Sequence, residues 1–171
     1  MTGDDRWYES AFVVGITNAL NVAADGLAPS LPPLAAAAAG PEAAAVFAEA
    51  RAFYGGAEVP LPLAVVARDP AYLADLWAAV KRAFSERRLT RRHKEALAFA
   101  VSLTTRSGFG TAFHLAELRR LGMGERGIME VVGVTQMFSS YTKIADTLQL
   151  QSDMADIAAP DPSGVPDPGT G

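Results

Sequence analysis

The chain has 171 residues, half of them hydrophobic and a fifth charged, with a net charge of −4 and an isoelectric point near 5.1. This is the size and mix of one soluble domain with a sizeable core and some peripheral segments, and no overall basic field exists to draw in nucleic acid or anionic lipid. There is no cysteine, which excludes disulfides, thiolate metal ligands and thiol redox chemistry by the chain's own residues.

The start, MTGDDRWYES, is acidic and lacks the basic region of a secretory signal. The uncharged stretch from Ser10 to Ala24 carries Asn18 and Asn21 and is too short to span a bilayer. A cytoplasmic protein without membrane contact is the expectation. A first helix is expected from Asp4 to about Ala24, with Trp7, Ala11, Val14 and Ala19 near one face. GLAPSLPP breaks it, because proline lacks the amide and restricts its predecessor. The alanine run that follows is open to a helix or a loose connection. PEAAAVFAEARAFY predicts a second helix from about Pro41 to Tyr54, and GGAEVPLPLAVVARDP, with two glycines and its prolines, reads as a poor helix.

Asp69 then offers an N-cap with Pro70 at the first helical position, and Leu73, Leu76, Trp77, Val80 and Phe84 form one apolar stripe. A further helix starts near Thr90 and stops around RSGFG, where two glycines and a serine interrupt. TAFHLAELRRLG predicts the next, closed by Gly122. From Glu125 to about Leu150 comes one long helix or two short ones. The tail, residues 158–171, is rich in proline and glycine and reads as disordered. No strand alternation and no repeat period occur, so the fold class is all-α, with six to eight helices. The organisation expected is a helical arm and Pro/Ala-rich connection over residues 1–40, a helical domain over 41–152, and the tail.

The basic run ERRLTRRHK, residues 86–94, reads as a solvated helix junction, since no aromatic residues interleave the charges. The two histidines, His93 and His114, stand apart; Glu117 lies three after His114, a spacing that alone reads as a surface hydrogen bond or ion pair. No metal site and no cofactor are expected. The glycines of SGFG and GMGERG follow no strand and lack a phosphate-loop lysine, and no serine sits in a nucleophile elbow.

Four segments then carry a resemblance: FYGGAEVPLPLAVVARDPAYLADLWAAV, LTRRHKEALAFAVSLTTRSGFGTAFH, LRRLGMGERGIMEVV and SSYTKIADTL. From Phe53 to Leu148 the chain resembles the alkylhydroperoxidase D-like superfamily, which also contains carboxymuconolactone decarboxylase. The resemblance implies a compact multi-helix domain of that type and assembly as a homo-oligomer, from dimer to hexamer. In the peroxidase branch a glutamate precedes a CxxC pair by twelve residues and a histidine follows it by four. Glu95 stands twelve before Ser107, and His114 four after Gly110, so the glutamate and histidine are kept while both cysteine positions are lost. Neither serine nor glycine can replace a thiolate that attacks peroxide and a thiol that resolves it. Thiol peroxidase and disulfide reductase activity therefore do not carry over.

Glu95 and His114 remain as a candidate proton-transfer pair. If the helices flanking RSGFG run antiparallel, the two side chains are offset by roughly 7 Å along the axis, within reach of two long side chains or a bridging water. A purely structural hydrogen bond is the other use open to them. Loss of two cysteines is expected to leave a small space beside the histidine. Phe109, Phe113, Met137, Phe138 and Tyr141 are candidate walls, and Thr104, Arg106 and Ser107 candidate polar contacts. Arg106 suits a small organic acid. Two functions follow as expectations: a cofactor-independent lyase, decarboxylase or isomerase, or a non-catalytic oligomeric binding or assembly protein.

Overall fold

The computed structural model describes residues 4–56 and 58–150. Among these residues there are seven α-helices and no strand: α1 Asp4–Asn21, α2 Pro41–Tyr54, α3 Leu61–Val66, α4 Pro70–Phe84, α5 Arg91–Thr105, α6 Gly108–Arg120 and α7 Glu125–Thr147. The fold is all-α, as the periodicities imply. By its contacts the chain divides into two units, Met1–Met137 and Phe138–Gly171. The tail expected over residues 158–171 lies outside the described residues.

Local chemistry places most helix starts. Asp69 accepts a hydrogen bond from the Tyr72 amide at 3.1 Å, with Pro70 in the first turn of α4. Thr90 does the same for the His93 amide at 3.3 Å, opening α5. Two boundaries differ from the expectation. Leu61–Val66 is a helix despite its prolines, because Pro60 falls at the N-cap and Pro62 in the first turn, where no amide is needed. The α5–α6 break lies at Arg106 and Ser107, and both following glycines are inside α6. Arg106 takes the left-handed conformation at φ 58°, a place that glycine usually fills. The Arg106 amide donates to Leu103 O and the Ser107 amide to Ser102 O, which closes α5 tightly. The alanine run contributes one 3₁₀ turn, Ala36–Ala38.

The stripe expected on α4 is buried as a whole and joins Phe47, Tyr54, Leu63, Ala98, Val13 and Leu20 in one core. Complete burial of Phe47, Leu63, Leu73 or Phe84 contributes about 1.5–3 kcal/mol each. α1 packs into that core within its own chain. Its buried face is Val13, Thr17, Leu20 and Asn21. Trp7, Ala11 and Ala19 of the expected face are exposed. The register is set by polar anchors that periodicity does not reveal. Glu9 accepts from the amides of Arg88 and Leu89, both at 3.0 Å, and pairs with the fully buried Lys94.

α1 continues into a six-residue π-helical segment, Val22–Leu27. Together, Asp5–Leu27 is long and apolar enough to cross a membrane, longer than the uncharged stretch alone. Here a third of that run is buried against the domain. In the second unit, Phe138, Tyr141 and Ile144 recur at helical spacing along the end of α7. They are 66%, 61% and 52% exposed.

Candidate functional site

α5 and α6 form a hairpin with a two-residue connection, and this hairpin builds the site. The inner face of α5 carries Arg91, Glu95, Ala98 and Ser102, all buried and spaced one turn apart. The facing side of α6 carries Gly110, His114 and Glu117. Glu95 and His114 meet directly: Nδ1 of His114 lies 2.7 Å from Glu95 Oε2, and the two side chains are 0% and 1% exposed. No bridging water is required to cover the offset.

Carboxylate oxygens of an ionised glutamate only accept, so His114 Nδ1 carries the proton in this contact. Nε2 is then the nitrogen left for chemistry, and no described residue bonds it. The ring is stacked on Phe84 at 5.9 Å and meets Phe113 edge-on at 5.3 Å, so its plane is fixed.

Glu95 is held on its other side. Arg91 Nε donates to Glu95 Oε1 at 2.7 Å, one turn earlier on the same helix. The Arg91 guanidinium lies over Phe53 at 4.3 Å and Tyr54 at 5.0 Å, and its Nη2 is 3.5 Å from Glu117 Oε2. Glu117 is in turn gripped by Arg120 through two bonds of 2.9 and 2.7 Å. Two carboxylates and two guanidinium groups thus alternate through the hairpin, leaving the buried charge balanced. Two expectations are corrected here. Glu117 is a buried member of this network, not a surface partner of His114. The basic run is not wholly solvated: Arg91 and Lys94 point inward, while Arg87, Arg88, Arg92 and His93 face out. The reason is that Glu95, Glu117 and Glu9 each need a buried cation.

His114 lines a narrow cavity with Leu20, Tyr54, Pro60, Pro62, Leu63, Val80, Phe109 and Phe113. Its volume of about 10 Å³ has room for roughly one water. Burial, reinforced by the nearby Glu95 carboxylate, pushes the Tyr54 phenol well above its ordinary value. It therefore stays protonated, a neutral donor at the wall.

The other candidate residues fall elsewhere. Phe109 is at the cavity, stacked on Phe113 at 5.3 Å. Ser107 and Arg106 line a second, open cleft of about 360 Å³ with Asn18, Asn21, Asp25 and Thr105. Ser107 is the N-cap of α6, accepting from the Gly110 amide at 2.8 Å and donating to Asp25. Arg106 and Thr104 are exposed. Tyr141, Met137 and Phe138 are 61%, 56% and 66% exposed on α7. At Gly110 itself no space is left: a Cβ built there would lie 2.2 Å from Asn21 Oδ1. A helix outside the resembling segment fills it.

Residues 70–152 match the family model described as carboxymuconolactone decarboxylase. These residues, just under half of the chain, carry that family's sequence pattern. Among solved structures it is similar to the alkylhydroperoxidase AhpD core from Rhodospirillum rubrum. The two are 26% identical with a TM-score of 0.69, over 76% of this chain and 98% of that one. No curated protein matches the chain. The chain is thus cysteine-free, similar to the carboxymuconolactone decarboxylase family over residues 70–152 and alkylhydroperoxidase-like in fold. The residues that sequence reading missed are Arg91, Glu117, Tyr54, Asn21 and Asp25. Arg91 had a signal, its spacing of four before Glu95. Asn21 and Asp25 had none, since their partners lie more than eighty positions away.

Proposed function

We propose that this chain is a cofactor-independent proton-transfer protein in which His114 Nε2 exchanges a proton with a small organic molecule at the cavity. Glu95 holds the Nδ1 proton and balances the imidazolium that forms when Nε2 is protonated. Arg91 fixes Glu95 by donating from Nε to Oε1 at 2.7 Å. The observation that supports this reading is the direct, buried Glu95–His114 contact beside the cavity. A lyase, decarboxylase or isomerase step needs only such a base and a polar group to receive developing charge, and the neutral Tyr54 phenol suits the second role. The cavity lining is mostly apolar, which matches a compact, largely apolar substrate in chemistry, but at about 10 Å³ it holds none as it stands. A carboxylate on that substrate would be read by Arg106 and Ser107 only if it extended into the neighbouring cleft. Entry requires the cavity walls to part.

The test is a screen of small organic acids and their neutral analogues for proton exchange into deuterated water, followed by mass spectrometry. His114→Ala is expected to abolish exchange while folding is retained. Full exchange in that variant would end the proposal. The narrowness of the cavity favours a second reading, a non-catalytic member kept for assembly. The exposed row Phe138, Tyr141 and Ile144 supports self-association as its function. In that case Glu95→Gln and His114→Ala both leave every function intact, and native mass spectrometry finds a homo-oligomer with no bound molecule.

A further inference from the structure

Gly110 stands out among the described glycines. An ideal Cβ there would sit 2.2 Å from Asn21 Oδ1, 2.4 Å from Ser102 Oγ and 2.9 Å from Ser107 Oγ. Such distances are far below van der Waals contact, so something must shift if any side chain is added. The three crowding atoms belong to groups that are themselves held. Asn21 Nδ2 donates to Ser102 Oγ and to Thr105 Oγ1, both at 3.2 Å. Ser102 Oγ donates to Ala98 O at 2.8 Å. Ser107 Oγ bridges the Gly110 amide and Asp25. Asn21 and Ser102 are 5% and 0% exposed, and of the two only Asn21 borders the open cleft.

The next turn of the same helix finishes the arrangement. Asp25, in the π-helical segment, accepts from the Phe109 amide at 3.3 Å as well as from Ser107. The residue before Asn21, Leu20, is a wall of the His114 cavity. The end of α1 and its π-helical extension therefore meet the start of α6 at three points: a cavity wall, a filled slot and a cap. Position 110 lies one turn before His114, so a displacement there moves the imidazole.

We infer that Asn21 is a positioning residue: with Ser102 it fills the slot beside position 110, and so lets the N-terminal helix set where His114 stands and bar any side chain at 110. The site is thus rebuilt around a carboxamide rather than emptied. This inference does not depend on proton transfer at His114. It holds equally for a binding protein.

The experiment compares Gly110→Ala and Gly110→Cys in the native chain and in the N21A/S102A background. Thermal unfolding and NMR titration of the His114 ring are the readouts. The native chain has no cysteine, so a thiol at 110 is the only one and its reaction with a disulfide reagent is read directly. In the native background, G110A is expected to lower Tm by about 4–8 °C and to alter the His114 titration curve. In the N21A/S102A background the same substitution is expected to cost less than half as much and to leave the curve unchanged, the signature of a shared slot in a double-mutant cycle. The thiol of G110C is expected to react within the folded native background, pushed out of its slot, and to be protected in N21A/S102A/G110C. Equal costs in the two backgrounds, or a G110A as stable as the native chain, would overturn the inference. Failure of G110A to fold counts for it when N21A/S102A/G110A folds, and against it when the triple variant also fails.

Discussion

Replace Glu95 by glutamine and two donors compete for one oxygen. In the native chain Arg91 Nε uses Glu95 Oε1 and His114 Nδ1 uses Oε2, both at 2.7 Å. Glutamine offers one oxygen and one amino group. Arg91 is always charged and can only donate, so it takes the oxygen. The amino group then faces Nδ1, and the imidazole meets it by moving its own proton to Nε2. Stability falls by about 1–2 kcal/mol, the loss of a charge-assisted bond with geometry kept. Glu95→Leu is a harsher change. It strands the Arg91 guanidinium, whose side chain is only 11% exposed, with a single 3.5 Å ion pair to Glu117. That costs about 3–5 kcal/mol, a large part of the 5–15 kcal/mol that holds a typical domain, or a Tm lower by about 6–20 °C. Urea unfolding supplies the two energies, and ring-nitrogen chemical shifts report the tautomer. Finding His114 still protonated at Nδ1 in E95Q, or E95L as stable as E95Q, would refute the reasoning.

The remaining predictions concern caps, charges and surfaces. Burial pushes the Glu9 carboxyl up, but Lys94 and the Leu89 and Arg88 amides outweigh it and hold the group below its ordinary 4.5. Its contribution is therefore complete above that pH and lost as pH falls through the lower folded value; the stability slope between about pH 5 and 3 is expected to be shallower in E9Q, read by urea titration at each pH. The Tyr54 phenol is raised, so its contribution is present below its ordinary 10.0 and lost as pH rises beyond it. Tyr54→Phe should flatten that alkaline loss in the same assay. Arg106→Gly relieves a left-handed backbone and should raise Tm by about 2–4 °C; a drop in organic-acid binding in the same variant would show that the guanidinium also holds substrate. Ile144→Glu is expected to shift any self-associated species towards monomer in sedimentation velocity, with an unchanged circular-dichroism spectrum. An unaltered oligomer would remove this face from the interface.

Much of the helical framework could be read directly from the chain. Apolar periodicity located α4 and its buried stripe, and Asp69–Pro70 and Thr90 marked helix starts whose hydrogen bonds are made within three residues. Such signals are local, so they survive without knowledge of the neighbours. Proline misled at α3 because its effect depends on which turn it occupies, and that is decided by the chain's path. RSGFG does hold the α5–α6 break, but only at Arg106 and Ser107; its two glycines lie inside α6, because Ser107 caps that helix, and no local preference foretells the left-handed backbone of Arg106.

The Glu95–His114 pair stood out in the sequence only through its spacing within a family pattern; its contact is made by the hairpin. What the sequence by itself determined was the helical class, the most regular helices, the absence of thiol chemistry and the acid and base available to the site. What only the tertiary structure decided was how those groups are held. Arg91 and Lys94 are buried because carboxylates wait for them, and Asn21 fills the place beside Gly110 because α1 is anchored there by Glu9, Asn21 and Asp25. Such pairings reach across more than 80 positions of the chain. Their energies come from desolvation and geometry, which exist only once the helices have met.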